Sequence, residues 1–83
     1  MNKVLIELYV PAIGEHFDMF VPLDVEIGKL NQIIAQGVAE ITDGRYTASE
    51  LEQLCLKEPC GLLNPSLCLR DYGATDGTQL YLI

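Results

Sequence analysis

The last fifteen residues constrain this chain most: Leu69-Arg70-Asp71-Tyr72-Gly73-Ala74-Thr75-Asp76-Gly77-Thr78-Gln79-Leu80-Tyr81-Leu82-Ile83. Asp71-Tyr72-Gly73 and Asp76-Gly77 read as two successive turns, because Asp bonds its own backbone locally and Gly tolerates positive φ. Leu80, Tyr81, Leu82 and Ile83 then form a terminal strand rich in bulky residues. The C-terminal segment is therefore expected to be part of the core, with Leu80 and Leu82 on one face and Tyr81 and Ile83 on the other.

The opposite end reads as a matching strand. Over Lys3 to Val10 the apolar residues Val4, Ile6, Leu8 and Val10 alternate with Lys3, Leu5, Glu7 and Tyr9, which is the period of a strand with one core face. Pro11 to His16, with Gly14 inside, is a turn. Phe17, Met19 and Val21 then face one way and Asp18 and Phe20 the other, completing an antiparallel hairpin.

Pro22 ends the hairpin, and Asp24 is placed to cap a helix. Ile27, Leu30, Ile34, Val38 and Ile41 recur at helical spacing, with Ile33 flanking, so a helix is expected from about Val25 to Ile41. Gly28 and Gly37 weaken it by up to ~1 kcal/mol each, leaving tertiary packing to hold it. Asp43-Gly44 closes it. Thr47-Ala48-Ser49-Glu50 has the form of a capping box and is expected to open a short helical turn. Leu54 and Leu56 alternate with Cys55 and Lys57 as a third strand, Glu58 to Gly61 is a turn, and Leu62-Leu63 is a short strand before Asn64-Pro65-Ser66.

One helix across a mixed sheet of four to five strands, with the first and last strands central and parallel, is an α+β arrangement of the β-grasp type. At 83 residues the chain holds one domain, residues 1 to 83, with a small core. Its crossover is expected to be right-handed.

The pattern resembles ubiquitin-like proteins along nearly the whole chain. Leu80 and Leu82 look like the core leucines of ubiquitin's last strand, Asp71-Tyr72 like its Asp-Tyr, and Ile27, Leu30 and Ile34 like its helix core. Leu69, Leu63 and Leu56 fall at matching intervals. Asp43 to Gln53 is longer than ubiquitin's link and reads as an insertion. Ubiquitin ends in a flexible Gly-Gly tail whose carboxylate is activated for transfer. Here the last residue is Ile83, β-branched and at the end of a strand, so a conjugation role is not expected. A small chain of this order without the diglycine resembles the EsaB/YukD family, cytoplasmic accessory proteins of type VII (WXG-type) secretion systems. The resemblance implies a non-catalytic interaction module whose partners are components of the secretion machinery. The alternatives are a degenerate sulfur carrier or modifier, and an adaptor domain cut from a larger protein. Met1 leading directly into the first strand favours a complete reading frame.

Charge narrows the partners. Twelve acids against five bases give −7, which argues against nucleic acid and against an anionic membrane surface. No segment approaches the ~18 apolar residues of a membrane span, and the N-terminus lacks a signal-peptide pattern, so direct membrane insertion is not expected. Three cysteines, an odd number, fit a reducing compartment, and the expected location is the cytoplasm.

Catalytic and metal chemistry find no support. Cys55-x4-Cys60 matches the opening of a plant-type iron–sulfur pattern, but Leu63 stands where the next cysteine belongs and a fourth is missing. Zinc would need a paired Cys/His set, and only His16 is available. No metal or cofactor is expected, and the cysteines read as structural. Cys55 is expected to face outward on the third strand, with only Lys57 nearby to lower its pKa. His16 reads as a solvated turn residue. Ser49 and Ser66 lack a nucleophile context, and Glu50 and Glu52 read as a solvated face. A domain filled by its own core leaves little room for a substrate pocket, so an enzyme is not expected.

The helix is expected to cover one sheet face. The open face should then carry Leu5, Glu7, Tyr9, Phe20, Cys55, Lys57, Tyr81 and Ile83. Its bulky members form a candidate protein-binding patch, for a partner protein or a second copy of the chain.

Overall fold

The computed structural model describes residues 2–48, 52–57 and 61–83. Strands β1 (Lys3–Val10) and β2 (Glu15–Pro22) precede helix α1 (Ile27–Ile41). Strands β3 (Leu54–Leu56) and β4 (Gly61–Leu62), a 3-10 helix (Leu69–Tyr72) and strand β5 (Thr78–Leu82) follow. The five strands form one sheet in the order β2-β1-β5-β3-β4. β1 and β5 run parallel at its centre, while β1/β2, β3/β5 and β3/β4 are antiparallel. This is the β-grasp, ubiquitin-like architecture that the two terminal strand patterns imply.

Alternation fixes the core. Val4, Ile6, Leu8 and Val10 from β1 and Leu80 and Leu82 from β5 are all buried, against Ile27, Leu30, Ile34, Ala35 and Val38 from the helix. Leu54, Leu63 and Leu69 complete the same cluster. Phe17, Met19 and Leu56, expected as full core members, are half-buried and pack against the cluster's edge. β2 is an edge strand, so its inner side has less covering it than β1 and β5 have. The helical spacing fails at the C-terminal end, where Ile41 is 62% exposed, and the flanking Ile33 is 54% exposed in mid-helix.

The helix begins two residues later than the spacing suggests, and Asp24 does not cap it. Glu26 occupies the N-cap position with no side-chain cap bond. The amides that a helix start leaves without partners are satisfied from a distant loop. Ile27 N–H donates to the Leu67 carbonyl at 2.8 Å, and Gly28 N–H to the Pro65 carbonyl at 3.0 Å. That contact explains Gly28, because a Cβ there would lie 3.3 Å from the Pro65 oxygen and 3.4 Å from its Cβ. The helix end is as expected: Asp43 has φ 53° and Gly44 N–H donates to the Ala39 carbonyl at 3.1 Å.

Asp24 instead takes the Arg70 guanidinium of the 3-10 helix as a two-point partner, through Nε and through Nη2 at 3.0 Å. The Arg70 hydrogen bond holds the Asp24 carboxyl below its usual pKa of 3.8. A carboxylate with a depressed folded-state pKa contributes stability above its unfolded pKa and loses that contribution as pH falls through the folded value. Both side chains are exposed, so the effect is small. The expected result is that Asp24→Asn is less stable than the parent at pH 7, and that the difference narrows as the pH falls below 3.8 and through the lowered folded value. A difference of equal size at pH 2.5, by denaturant titration, would show that the pair is not its source.

The residues after the helix are pinned to the core. The Thr42 hydroxyl is buried, donating to the Val38 carbonyl at 2.8 Å and accepting the Tyr46 amide at 3.2 Å. Tyr46 joins the core cluster at 8% exposure. Burial first, and then the Glu52 carboxylate, push its hydroxyl pKa up. Arg45 forms a two-point ion pair with Glu15 at the start of β2. The expected helical turn from Thr47 to Glu50 and the turn from Glu58 to Gly61 fall largely outside the described residues.

Candidate functional site

Register turns the open sheet face into rows. One row runs across the sheet as His16, Tyr9, Tyr81, Cys55 and Leu62, each the pairing partner of the next. The adjacent row is Asp18, Glu7 and Gln79, with the Lys57 amide bonded to the Gln79 carbonyl at 3.2 Å. Beyond it, Leu5 pairs with Phe20. On the other side of the aromatic row, Gln53 and Ile83 exchange backbone hydrogen bonds of 2.7 and 2.9 Å.

These rows divide the expected patch. Leu5 and Phe20, the latter 67% exposed, form an apolar corner. Tyr9 stands four positions further along β1, paired with Tyr81, and the polar Asp18–Glu7–Gln79 row lies between. The face of each residue followed from alternation; the interruption depends on strand register, which alternation does not supply.

The aromatic row is tightly organised. The Tyr9 and Tyr81 rings meet edge to face, with centroids 5.8 Å apart at 68°. The His16 ring lies over Tyr9 at 4.4 Å and 32°. Both tyrosines are half-buried and His16 is exposed. Together with Glu7, Asp18, Lys57 and Gln79 they line a groove of about 390 Å³. Lys57 and Glu7 are exposed, and Ile83 is 57% exposed at the edge of the face.

His16 corrects the turn assignment. β2 starts at Glu15, so His16 belongs to the strand and points to the same face as Asp18 and Phe20. Extending the Phe17–Val21 alternation back by two residues would have found it.

Cys55 corrects the exposure assignment. It lies on the open face by register but is buried, at 7% exposure, because its cross-strand neighbours Tyr81 and Leu62 flank it on both sides. Cys68 is half-buried. Its thiol pKa is pushed up by burial first and then by the Asp71, Asp24 and Glu26 carboxylates, so it stays a thiol and is a poor nucleophile. Among the described residues no three His, Cys, Asp or Glu side chains converge as metal ligands. Cys60 lies outside the described residues.

A second depression of about 510 Å³ lies by β4 and the loop that follows it. Asn31, Leu63, Pro65 and Tyr72 are among its walls. The Tyr72 hydroxyl accepts the Asn64 amide at 2.8 Å. It is the larger of the two but gathers no aromatic stack and no pair of like charges.

No family model and no curated protein matches the sequence. Solved structures do. The ubiquitin-like domain of the Mycobacterium tuberculosis type VII secretion system protein ECCD1 superposes with a TM-score of 0.78 at 16% identity, over 100% of this chain and 99% of that one. The EccD5 ubiquitin-like domain from Mycobacterium xenopi gives 0.72 at 16%, over 100% and 94%. The UBL domain of Plasmodium falciparum Dsk2 gives 0.73 at 21%, over 98% and 96%. A chain of an ESX-5 inner membrane complex matches at 0.71 and 15%, over all of this chain and 21% of its own length. At these identities the likeness is one of fold.

Proposed function

We propose that this chain is a non-catalytic ubiquitin-like interaction domain, working in the cytoplasm as an accessory of a type VII secretion assembly, in the manner of the EsaB/YukD proteins. The open sheet face receives the partner. The observation that carries this reading is the aromatic row at the centre of that face, where two central strands present half-exposed tyrosine rings, with the exposed Ile83 on one side and the exposed Phe20 across the polar row on the other. Aromatic rings combine large apolar area with few rotors to immobilise, which is why they dominate interface energetics. The end-to-end likeness to ubiquitin-like domains of secretion proteins supports the choice of system. A second reading, an adaptor domain acting inside a longer chain, is favoured by the match to about a fifth of an inner-membrane-complex chain.

Tyr81 is the anchor, since it touches Tyr9, pairs with Cys55 and points away from the helix. Tyr81→Ala is expected to leave the circular dichroism spectrum native while lowering recovery of secretion components at least roughly ten-fold. The measurement is quantitative co-purification from a host expressing the assembly. Full recovery with both Tyr81→Ala and Phe20→Ala would exclude the sheet face as the binding site.

A further inference from the structure

We infer that the groove on the open face takes an arginine side chain of a basic segment in the partner protein. The inference rests on the reading of this face as the binding site, and it adds the chemistry that is recognised.

The first observation is a like-charge pair. Glu7 and Asp18 are direct cross-strand partners in β1 and β2. Two carboxylates placed opposite one another destabilise a sheet. Neither carries an ion pair among the described residues. Glu7 has only a long contact, from the Gln79 side-chain amide at 3.4 Å. The strands thus hold a negative pair on an exposed face that no salt bridge among the described residues neutralises, although Lys57 lines the same groove.

The second observation is independent of charge. The wall beside the carboxylates is the stacked row of His16, Tyr9 and Tyr81. A guanidinium is planar, stacks on aromatic rings and presents its donors in a fork that fits carboxylates. The groove of about 390 Å³ offers a ring wall and a carboxylate pair side by side. The whole chain, at −7, adds an attractive field for a basic segment.

Lys57, on the far wall of the groove, supplies a sign test. Its ammonium repels the incoming cation, so its removal strengthens the interaction while removal of either carboxylate weakens it. Relief of the Glu7–Asp18 repulsion also raises the stability of the unbound domain. A substitution that merely damaged the fold would lower it.

The probe is N-acetylarginine amide, titrated into the full chain and followed by the ring proton resonances of Tyr9, His16 and Tyr81. The control is N-acetylcitrulline amide, the neutral isostere. Arginine is expected to shift all three rings saturably and citrulline is not, and added salt weakens the effect. Glu7→Gln and Asp18→Asn should each weaken binding by roughly two- to five-fold and raise Tm. Lys57→Gln should strengthen binding. Equal shifts from arginine and citrulline, or an unchanged affinity in the Glu7→Gln/Asp18→Asn double variant, would overturn the inference. The two readings also separate in the co-purification assay. If Tyr81→Ala loses the partner and the double variant retains it, the face is the site but not for a basic side chain; if both retain it, both readings fail.

Discussion

Replacing Leu80 with alanine is expected to lower the stability of the domain more than any surface change. Leu80 is 1% exposed on central strand β5, where it pairs with Leu8 of β1 on one side and Leu56 of β3 on the other. Truncation removes buried methyl groups and leaves a cavity that two flanking strands prevent from collapsing. Such changes cost ~2–5 kcal/mol. A domain of this size has a total stability of about 4–12 kcal/mol, so the variant should lose close to half of it. Urea titration at pH 7 gives the comparison, with the denaturant midpoint falling steeply at an unchanged slope. Ile33→Ala, on the exposed flank of the helix, is the control and should move the midpoint little. Equal effects from the two would contradict the placement of the core.

Gly77→Val is expected to cost about 3 kcal/mol, for a different reason. Nothing lies within 4 Å of where a Cβ would stand, so space is not the obstacle. The residue has φ 92°, a conformation that L-residues reach only under strain and β-branched ones least of all. Relaxing that angle would break a clamp. Gly77 N–H donates to the Leu5 carbonyl at 2.8 Å, and the neighbouring Asp76 carboxylate accepts the Leu5 amide at 2.9 Å. Both backbone polar groups of Leu5 are thus held by the Asp76-Gly77 turn, which sets the register of β5 against β1. Semisynthesis of the C-terminal segment gives a clean test by thermal unfolding. L-alanine at this position should lower Tm and D-alanine should restore it, because only the D-residue favours positive φ. Identical L- and D-alanine proteins would rule out backbone strain as the cause.

These two sites show what local sequence can carry. The alternation of Val4, Ile6, Leu8 and Val10 needs no partner to be recognised, and neither does the Asp-Gly signal at Gly77. The face on which Tyr9, Phe20 and Tyr81 stand follows from the same period. What escaped was set by residues distant in sequence. Asp24 has the chemistry of a cap, but the Leu67 and Pro65 carbonyls reached the helix start first, and Arg70 took the carboxylate. Cys55 alternates outward, yet Tyr81 and Leu62 bury it. Tyr46, in what reads as an insertion, is the local exception: Thr42, four residues before it, bridges the helix end to its amide and draws it into the core. The split of the open face depends on the pairing of Glu7 with Asp18, which is a property of the hairpin and not of either strand.

The parallel pairing of β1 with β5 has a consequence for how the domain is made. Leu5 and Asp76 are bonded across 71 positions of chain, and β5, the middle strand of the sheet, follows every other strand of the domain in the chain. Until it is made the β1–β2 hairpin and the helix can form from local contacts, but the inner edge of β1 has no neighbour and β3 has no strand to join it to the rest. Loop closure on that scale must precede the contacts that reward it, so folding should be slow for a chain of this length. The nascent domain spends that interval with an open strand edge, the kind of surface that invites pairing with other chains. The sheet therefore cannot close before β5 has been made, and a ribosome stalled short of Thr78 holds a protein with no centre.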